Sequence, residues 1–315
     1  MSTEPNTTAQ PVERSRLVGG VAGVGSGLTK VAVGHGFDTI KTRVQVQQYH
    51  SAWEAFVKTV RNEGPLALYK GATPPALGWS IIDSLLMGSL HVYRLHLRDA
   101  GFVESTPGSG TPRLTLLGHG FAGLLAGTTS TIVATPVEQI KVKLQLQQQR
   151  HAADRQFKSP IDCIRQIVRV QGVSGLWSGF TGTVMMRTNF FWMFLSVEAF
   201  MRGFSRFEQI STPTANFLSG GFASLVFWTL GIPADTVKNR MMAHPYPEPY
   251  PGVGATALKR PSFLSVAREI YRKDGPRGFY RGLAPCILRA FPVNACALLV
   301  YESILRALDA EKTRH

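Results

Sequence analysis

The chain has 315 residues, of which 44% are hydrophobic and only 17% are Asp, Glu, Lys or Arg, against roughly 25% charged in soluble domains. Lys and Arg number 34 against 20 acids, and this formal charge of +14 points to an anionic partner: nucleic acid, acidic lipid or a carboxylate solute. Glycine and proline are spread along the chain, which excludes collagen-like and disordered classes, and three cysteines without a CxxC pair exclude a disulfide scaffold and argue against a metal site.

Residues 1–16 are polar and lack the apolar core of a secretory signal, and Pro5 and Pro11 interrupt any basic amphipathic helix that a transit peptide needs. They are expected to form a disordered tail. The first apolar stretch, 17–34, carries a single charge, Lys30, and leads into Gly36-Phe37-Asp38-Thr39-Ile40-Lys41. An amphipathic segment at Ala52–Val60, the pair Glu63-Gly64 and the triplet Tyr69-Lys70-Gly71 follow, and then a second apolar stretch, 74–92, with Asp83 as its only charge. This unit recurs twice. The stretch 114–135 ends in Pro136-Val137-Glu138-Gln139-Ile140-Lys141, followed by the amphipathic Ile161–Val168, Gln171-Gly172 and Trp177-Ser178-Gly179, and 179–197 carries only Arg187. The stretch 213–234 ends in Pro233-Ala234-Asp235-Thr236-Val237-Lys238, followed by Phe263–Tyr271, Asp274-Gly275 and Tyr280-Arg281-Gly282, and 282–301 carries only Arg289.

Six stretches near the ~20 residues that cross a bilayer predict an all-α membrane protein of six transmembrane helices in three two-helix repeats, 17–100, 114–208 and 213–308, with tails at 1–16 and 309–315. The amphipathic segments predict short surface helices. Small residues four apart (Gly19, Gly23 and Gly27; Gly123 and Gly127; Gly220 and Ser224) let helix backbones approach closely in lipid. The segments joining the two helices within each repeat hold 21 Lys and Arg, and those joining repeats hold 5. The positive-inside tendency therefore puts the basic loops on the inner face and both termini on the outer face.

An acid and a base three residues apart share one helix face. Three such helices about an axis can pair Asp38, Glu138 and Asp235 with Lys41, Lys141 and Lys238 of their neighbours, with Gln45 and Gln145 placed one turn further to hydrogen-bond a pair. Proline inside a helix removes a hydrogen bond and bends it, so Pro136 and Pro233 are expected kinks, and Gly36 permits one without enforcing it.

Pro-x-acid-x-x-Lys closing each odd helix and aromatic-basic-Gly opening each even one, with Gly36 and Ser178 as departures, resemble the mitochondrial carrier family from about Leu17 to Leu308. The resemblance implies a six-helix bundle of threefold pseudosymmetry, working by alternating access in the mitochondrial inner membrane with both termini in the intermembrane space. It also implies a matrix gate formed by Asp38, Lys41, Glu138, Lys141, Asp235 and Lys238 with Gln45 and Gln145. A sparser cytoplasmic gate would draw on Arg94, Glu198, Arg202 and Glu302. Solute contacts fall at or beside Arg289, Arg187 with Thr188, and Gly78-Trp79, with Asp83 and Lys30 adding charge inside the spans.

Two arginine forks and Lys30 suit a solute with two or more carboxylates, such as citrate, malate or 2-oxoglutarate, and Arg187-Thr188 looks like the keto-acid and carboxylate carriers. The run Val33–Arg43 is instead similar to the carnitine and ornithine branch, in which Asp83 would hold an ammonium; alternatively Asp83 simply pairs with Lys30 or an arginine. A proton-leak or scaffold protein on the same fold is the reading from another class. No nucleophile and base, metal cluster or phosphate loop supports an enzyme, no cofactor is expected, and the basic loops read as lipid-facing rather than nucleic-acid-binding. The glycines Gly71, Gly179 and Gly282, at helix starts beside positive charge, make cardiolipin the expected lipid partner of a monomer.

Overall fold

The computed structural model describes residues 9–289 other than 47, 107–109, 150–153, 208 and 244–260, together with 292, 293, 296 and 300. Within helices only the backbone is described at 9–24, 26, 27, 75, 77, 80, 212 and 213. Glu302 and the surroundings of Gly19, Gly23 and Gly27 therefore lie outside what is described.

The described chain is helical apart from one small hairpin. Helix α1 (Ala9–Gln45), α2 (Ala52–Glu63) and α3 (Thr73–Asp99) make the first unit. The hairpin of β1 (Val103–Ser105) and β2 (Pro112–Leu114) leads to α4 (Leu116–Gln145), α5 (Pro160–Gln171), α6 (Phe180–Arg187) and α7 (Phe190–Phe204). The last unit is α8 (Thr212–Ala243), α9 (Phe263–Asp274) and a helix over 283–289, here α10.

The surface helices repeat in detail, and serine and glycine chemistry explains why. Each of α2, α5 and α9 is 12 residues long. Each starts after a serine, Ser51, Ser159 or Ser262, whose hydroxyl accepts from the amide three residues on at 3.1, 3.1 and 3.2 Å, satisfying one of the donors that a helix start leaves free. Each ends at Gly64, Gly172 or Gly275 with φ of 88°, 70° and 64°, where a side chain would be strained. A 3-10 turn of five residues follows (Pro65–Tyr69, Val173–Trp177, Pro276–Tyr280). The second glycine of each marker then turns the chain into the next helix, with φ of 74°, 86° and 84° at Gly71, Gly179 and Gly282. These last glycines also permit close approach. A Cβ on Gly71 would lie 2.9 Å from the Lys141 carbonyl of α4, one on Gly179 2.9 Å from Met242 of α8, and one on Gly282 3.0 Å from Gln45 of α1.

Each surface helix buries its apolar side under the end of its odd helix: Ala55 beneath Ile40 and Val44, Cys163 and Ile167 beneath Ile140 and Leu144, Val266 and Ile270 beneath Val237 and Met241. A further cluster of Leu86, Leu90, Ala122, Ala126 and Phe194 joins α3, α4 and α7. The small-residue expectation for the third span is met there: a Cβ on Gly123 would come within 2.5 Å of the Phe194 ring and 2.6 Å of the Phe190 carbonyl. Gly123→Val is therefore expected to force α4 and α7 apart and cost about 1–3 kcal/mol or more, read as loss of folded protein from detergent size-exclusion. In the fifth span, Gly220 has nothing among the described residues within 4 Å of its would-be Cβ.

Four features depart from the sequence reading. Helix α1 starts at Ala9, inside the expected disordered tail; Pro11 is tolerated because the first-turn amides have no intrahelical partner. The segment after α3 holds a hairpin rather than a plain loop. The fourth span divides at Thr188 and Asn189, whose side chains donate to the carbonyls of Met185 (2.7 Å, Thr188) and Met186 (3.1 Å, Asn189) and so compete with the helix ladder. Among the described helices, only α4 and Thr214–Ala243 of α8 are by themselves long and apolar enough to cross a membrane.

Candidate functional site: a cavity floored by a ring of ion pairs

The ends of α1, α4 and α8 meet through their acid and base side chains. Lys41 lies 2.7 Å from Asp235, Lys141 2.6 Å from Asp38, and Lys238 2.8 Å from Glu138. Each base reaches the acid of the next helix, so the three pairs close a cycle. Lys238 is also 2.8 Å from Asp235 on its own helix. Gln45 donates to Asp235 at 2.9 Å and accepts from Asn239, as its place one turn below the pair implied. Gln145 does not reach an ion pair: its amide donates to Thr39 at 3.1 Å and its oxygen accepts from Thr42 at 3.0 Å. Two buried threonines on α1 lie nearer than the carboxylate, and they take its hydrogen bonds.

Above the ring is a cavity of about 410 Å³ whose walls include Lys30, Trp79, Asp83, Arg187, Trp228 and Arg289. The two arginines are not idle. Arg187 bonds Glu138 at 3.1 Å and the Ser130 hydroxyl at 2.8 Å, and Arg289 is bonded to Asp38. Asp83 makes no ion pair within 4 Å with any described residue, and Lys30 and Arg187, on the same wall, act on it from beyond contact distance. Gly78 is not on the cavity wall but against α4, where a Cβ would sit 2.8 Å from both Val137 methyls. Thr188 is likewise off the wall, its hydroxyl satisfied within its own helix.

Helices α4 and α8 run on through Pro136 and Pro233. Proline leaves the carbonyl four residues earlier without its amide donor; for Pro136 that is Ile132, and Trp177 of the second marker donates its indole N–H there at 2.9 Å. In the first repeat the Tyr69 hydroxyl donates to Ala32 at 2.7 Å, four residues before Gly36. In the first two repeats the aromatic of the marker thus bonds a carbonyl four residues before the Gly36 or Pro136 position of the preceding odd helix, a role that the motif spacing alone did not disclose. His35, which in the sequence reads as an isolated packing or helix-end residue, lies 3.0 Å from the Lys70 carbonyl, and the sequence pattern did not single out Asn239. Its short polar side chain, one turn after Asp235, was the available signal.

Behind the ring lies a second set of charges. Arg43 is fully buried and bonds Glu63, the Thr59 hydroxyl at 2.8 Å and the Gln145 carbonyl at 3.1 Å, and Lys70 also bonds Glu63. In the third repeat Asp274 is held by Arg240 at 3.1 Å and Arg281 at 2.9 Å. In the second repeat both marker charges are absent together, and Ser178 donates to Gln171 at 3.4 Å.

At the opposite helix ends, with Glu302 outside the described residues, the other three expected outer-gate residues do not form a ring among the described residues. Glu198 and Arg202 pair along α7 at 2.8 Å, and Arg202 reaches Glu104 of the hairpin and the Leu114 carbonyl. Arg94 has no ion pair among the described residues and stands over the Phe194 ring at 5.7 Å.

Comparison with known proteins places this geometry in context. A family model described as Mitochondrial carrier protein matches residues 14–100, 112–208 and 210–312. Mitochondrial substrate carrier family protein L of Dictyostelium discoideum is 32% identical over 290 residues, covering 91% of this chain and 94% of its own. The human Mitochondrial basic amino acids transporter is 33% identical over 300 residues (93% and 91%), and the Glutamate/glycine mitochondrial carrier ymc1 of Schizosaccharomyces pombe is 30% identical over 296 (90% and 92%).

Proposed function

Since this chain belongs to the mitochondrial carrier protein family, we propose that it moves an amino-acid-type solute, one with both a carboxylate and an ammonium group, across the inner membrane by alternating access. The observation that carries the solute class is Asp83. A carboxylate on a cavity wall with no cation in contact is costly to ionise; Lys30 and Arg187 act on Asp83 only from beyond contact distance, and a solute ammonium is a group that relieves it. Lys30, also without an ion pair within 4 Å among the described residues, faces the same cavity, so an acid and a base stand apart there with room for the two charged groups of a zwitterion. The relatives named for basic amino acids and for glutamate and glycine agree with this direction.

In this reading the ring of Asp38, Lys41, Glu138, Lys141, Asp235 and Lys238 is the matrix gate, shut in the state described, and Arg187 and Arg289 link gate acids to the solute. Six spanning helices about a threefold axis, with termini in the intermembrane space, are part of this reading, supported by the three family matches and by the charge bias of the loops. Cardiolipin at the helix starts by Gly71, Gly179 and Gly282 belongs to the same reading, supported by the basic residues beside two of them.

A second reading has one observation in its favour. The cavity walls carry Lys30, Lys41, Lys141, Lys238, Arg187 and Arg289 against Asp38, Asp83, Glu138 and Asp235, and the excess of bases suits a di- or tricarboxylate. Asp83→Asn separates the two in proteoliposomes loaded with unlabelled solute. Uptake of labelled lysine or glutamate is expected to fall at least tenfold, because a charge-assisted hydrogen bond of about 1.5–3 kcal/mol is lost. Uptake of citrate by the wild type, preserved in Asp83→Asn, with no amino solute carried by either, would replace the first reading by the second.

A further inference from the structure

Two tryptophans on the cavity wall each face a lysine of the ring. The Lys141 ammonium stands 5.4 Å from the Trp79 ring centre, and the Lys41 ammonium stands 4.3 Å from that of Trp228. The Arg289 guanidinium is also above Trp228, at 6.0 Å. Lys238 has no such ring among the described residues and is bonded instead to two carboxylates. Trp228 therefore sits where a gate base from α1 and an arginine from α10 converge, on a half-buried face that opens to the cavity.

An indole face attracts a cation through its quadrupole and does not distinguish one ammonium from another. We propose that Trp228 is a positioning and specificity-determining residue: its indole face holds Lys41 while the ring is closed and takes a second cationic group of the solute in exchange. The solute half of this inference rests on the amino-acid reading above; the Lys41 half does not. With the α-ammonium at Asp83, the indole faces of Trp79 and Trp228 are the cation-binding surfaces left beside the ring on the described cavity wall, and Trp228 is the one already approached by two cations, Lys41 at 4.3 Å and Arg289 at 6.0 Å. A solute cation arriving there displaces Lys41 from the indole. The Lys41–Asp235 pair then keeps its charges but loses the surface that orients it, so occupancy of the cavity loosens one of the three contacts of the ring. A solute with a single cation would leave that contact in place.

The test compares Trp228→Phe, which keeps an aromatic face, with Trp228→Leu, which keeps apolar bulk alone. Melting of the solute-free protein in detergent reads the Lys41 half: Trp228→Leu is expected to melt below Trp228→Phe. Uptake kinetics in proteoliposomes read the solute half. In Trp228→Leu the KM for labelled lysine is expected to rise about tenfold, equivalent to about 1.4 kcal/mol, with the KM for labelled glutamate unchanged and Trp228→Phe close to the wild type. Equal melting of the two variants, or an equal rise in KM for lysine and glutamate, would show a space-filling residue and overturn the inference. If the wild type imports neither amino acid, the amino-acid reading and the solute half fall together, and the melting comparison alone decides the Lys41 half.

Discussion

Replacing Lys238 with alanine is expected to lower the melting temperature of the solute-free protein in detergent more than the same change at Lys41 or Lys141. Lys238 is the only one of the three within 2.8 Å of two carboxylates, and the side chains concerned are 7% exposed for the lysine and 1% and 18% for Asp235 and Glu138. Removing one partner of a buried pair leaves a charge in a medium that solvates it poorly, at a cost of about 3–5 kcal/mol. Arg187 still bonds Glu138 and Lys41 still bonds Asp235, which places the loss at the lower end of that range. Lys41→Ala leaves Asp235 with Lys238, and Lys141→Ala leaves Asp38 with Arg289, so each strands one acid with a remaining base. A Lys238→Ala protein that melts with the wild type would mean that the ring is not closed in the solute-free carrier.

Arg43→Ala is expected to destabilise the protein by a similar amount, about 3–5 kcal/mol, without any loss of a cavity group. The guanidinium is 0% exposed, its Glu63 partner 3%, and its other acceptors are Thr59 on α2 and the carbonyls of Gln145 and Gln147 that follow α4. One side chain thus ties α1 to the surface helix of its own repeat and to the end of the next odd helix. Arg43→Lys restores the charge but not the planar fork, and should recover only part of the stability. Circular-dichroism melts of Arg43→Ala and Arg43→Lys check this. If both melt like the wild type, the tie between repeats has no weight. The second repeat, with Gln171 and Ser178 where the others have acid and base, has a neutral counterpart at this place.

Much of this architecture was legible because it is periodic. Three hexamers in phase fixed the ring, and the structure joins all six of its charges with the partners that helical i, i+3 geometry required. The two marker glycines fixed the exits from the surface helices and the entries to the next ones. What stayed hidden depends on distances between segments far apart in sequence. That Arg187 and Arg289 would be held by Glu138 and Asp38 follows from the depth at which α6 and α10 meet α4 and α1, and a count from Gly179 or Gly282 cannot give it. Gly78 and Thr188 lie off the cavity wall for the opposite reason: a correct helical address still leaves open which way the residue faces. Trp228 escaped notice since an aromatic in an apolar span is unremarkable until a lysine from another helix is found above it.

The bond from the Trp177 indole to the Ile132 carbonyl couples a chromophore to the acceptor that Pro136 leaves without its amide donor. A movement of α4 against the marker would withdraw that carbonyl, and an indole that loses a hydrogen-bond acceptor emits further to the blue. The other tryptophans, Trp53, Trp79, Trp192 and Trp228, can be exchanged for phenylalanine to leave Trp177 alone. A carrier of that kind would show each turn of its cycle as a change of colour, with no dye attached.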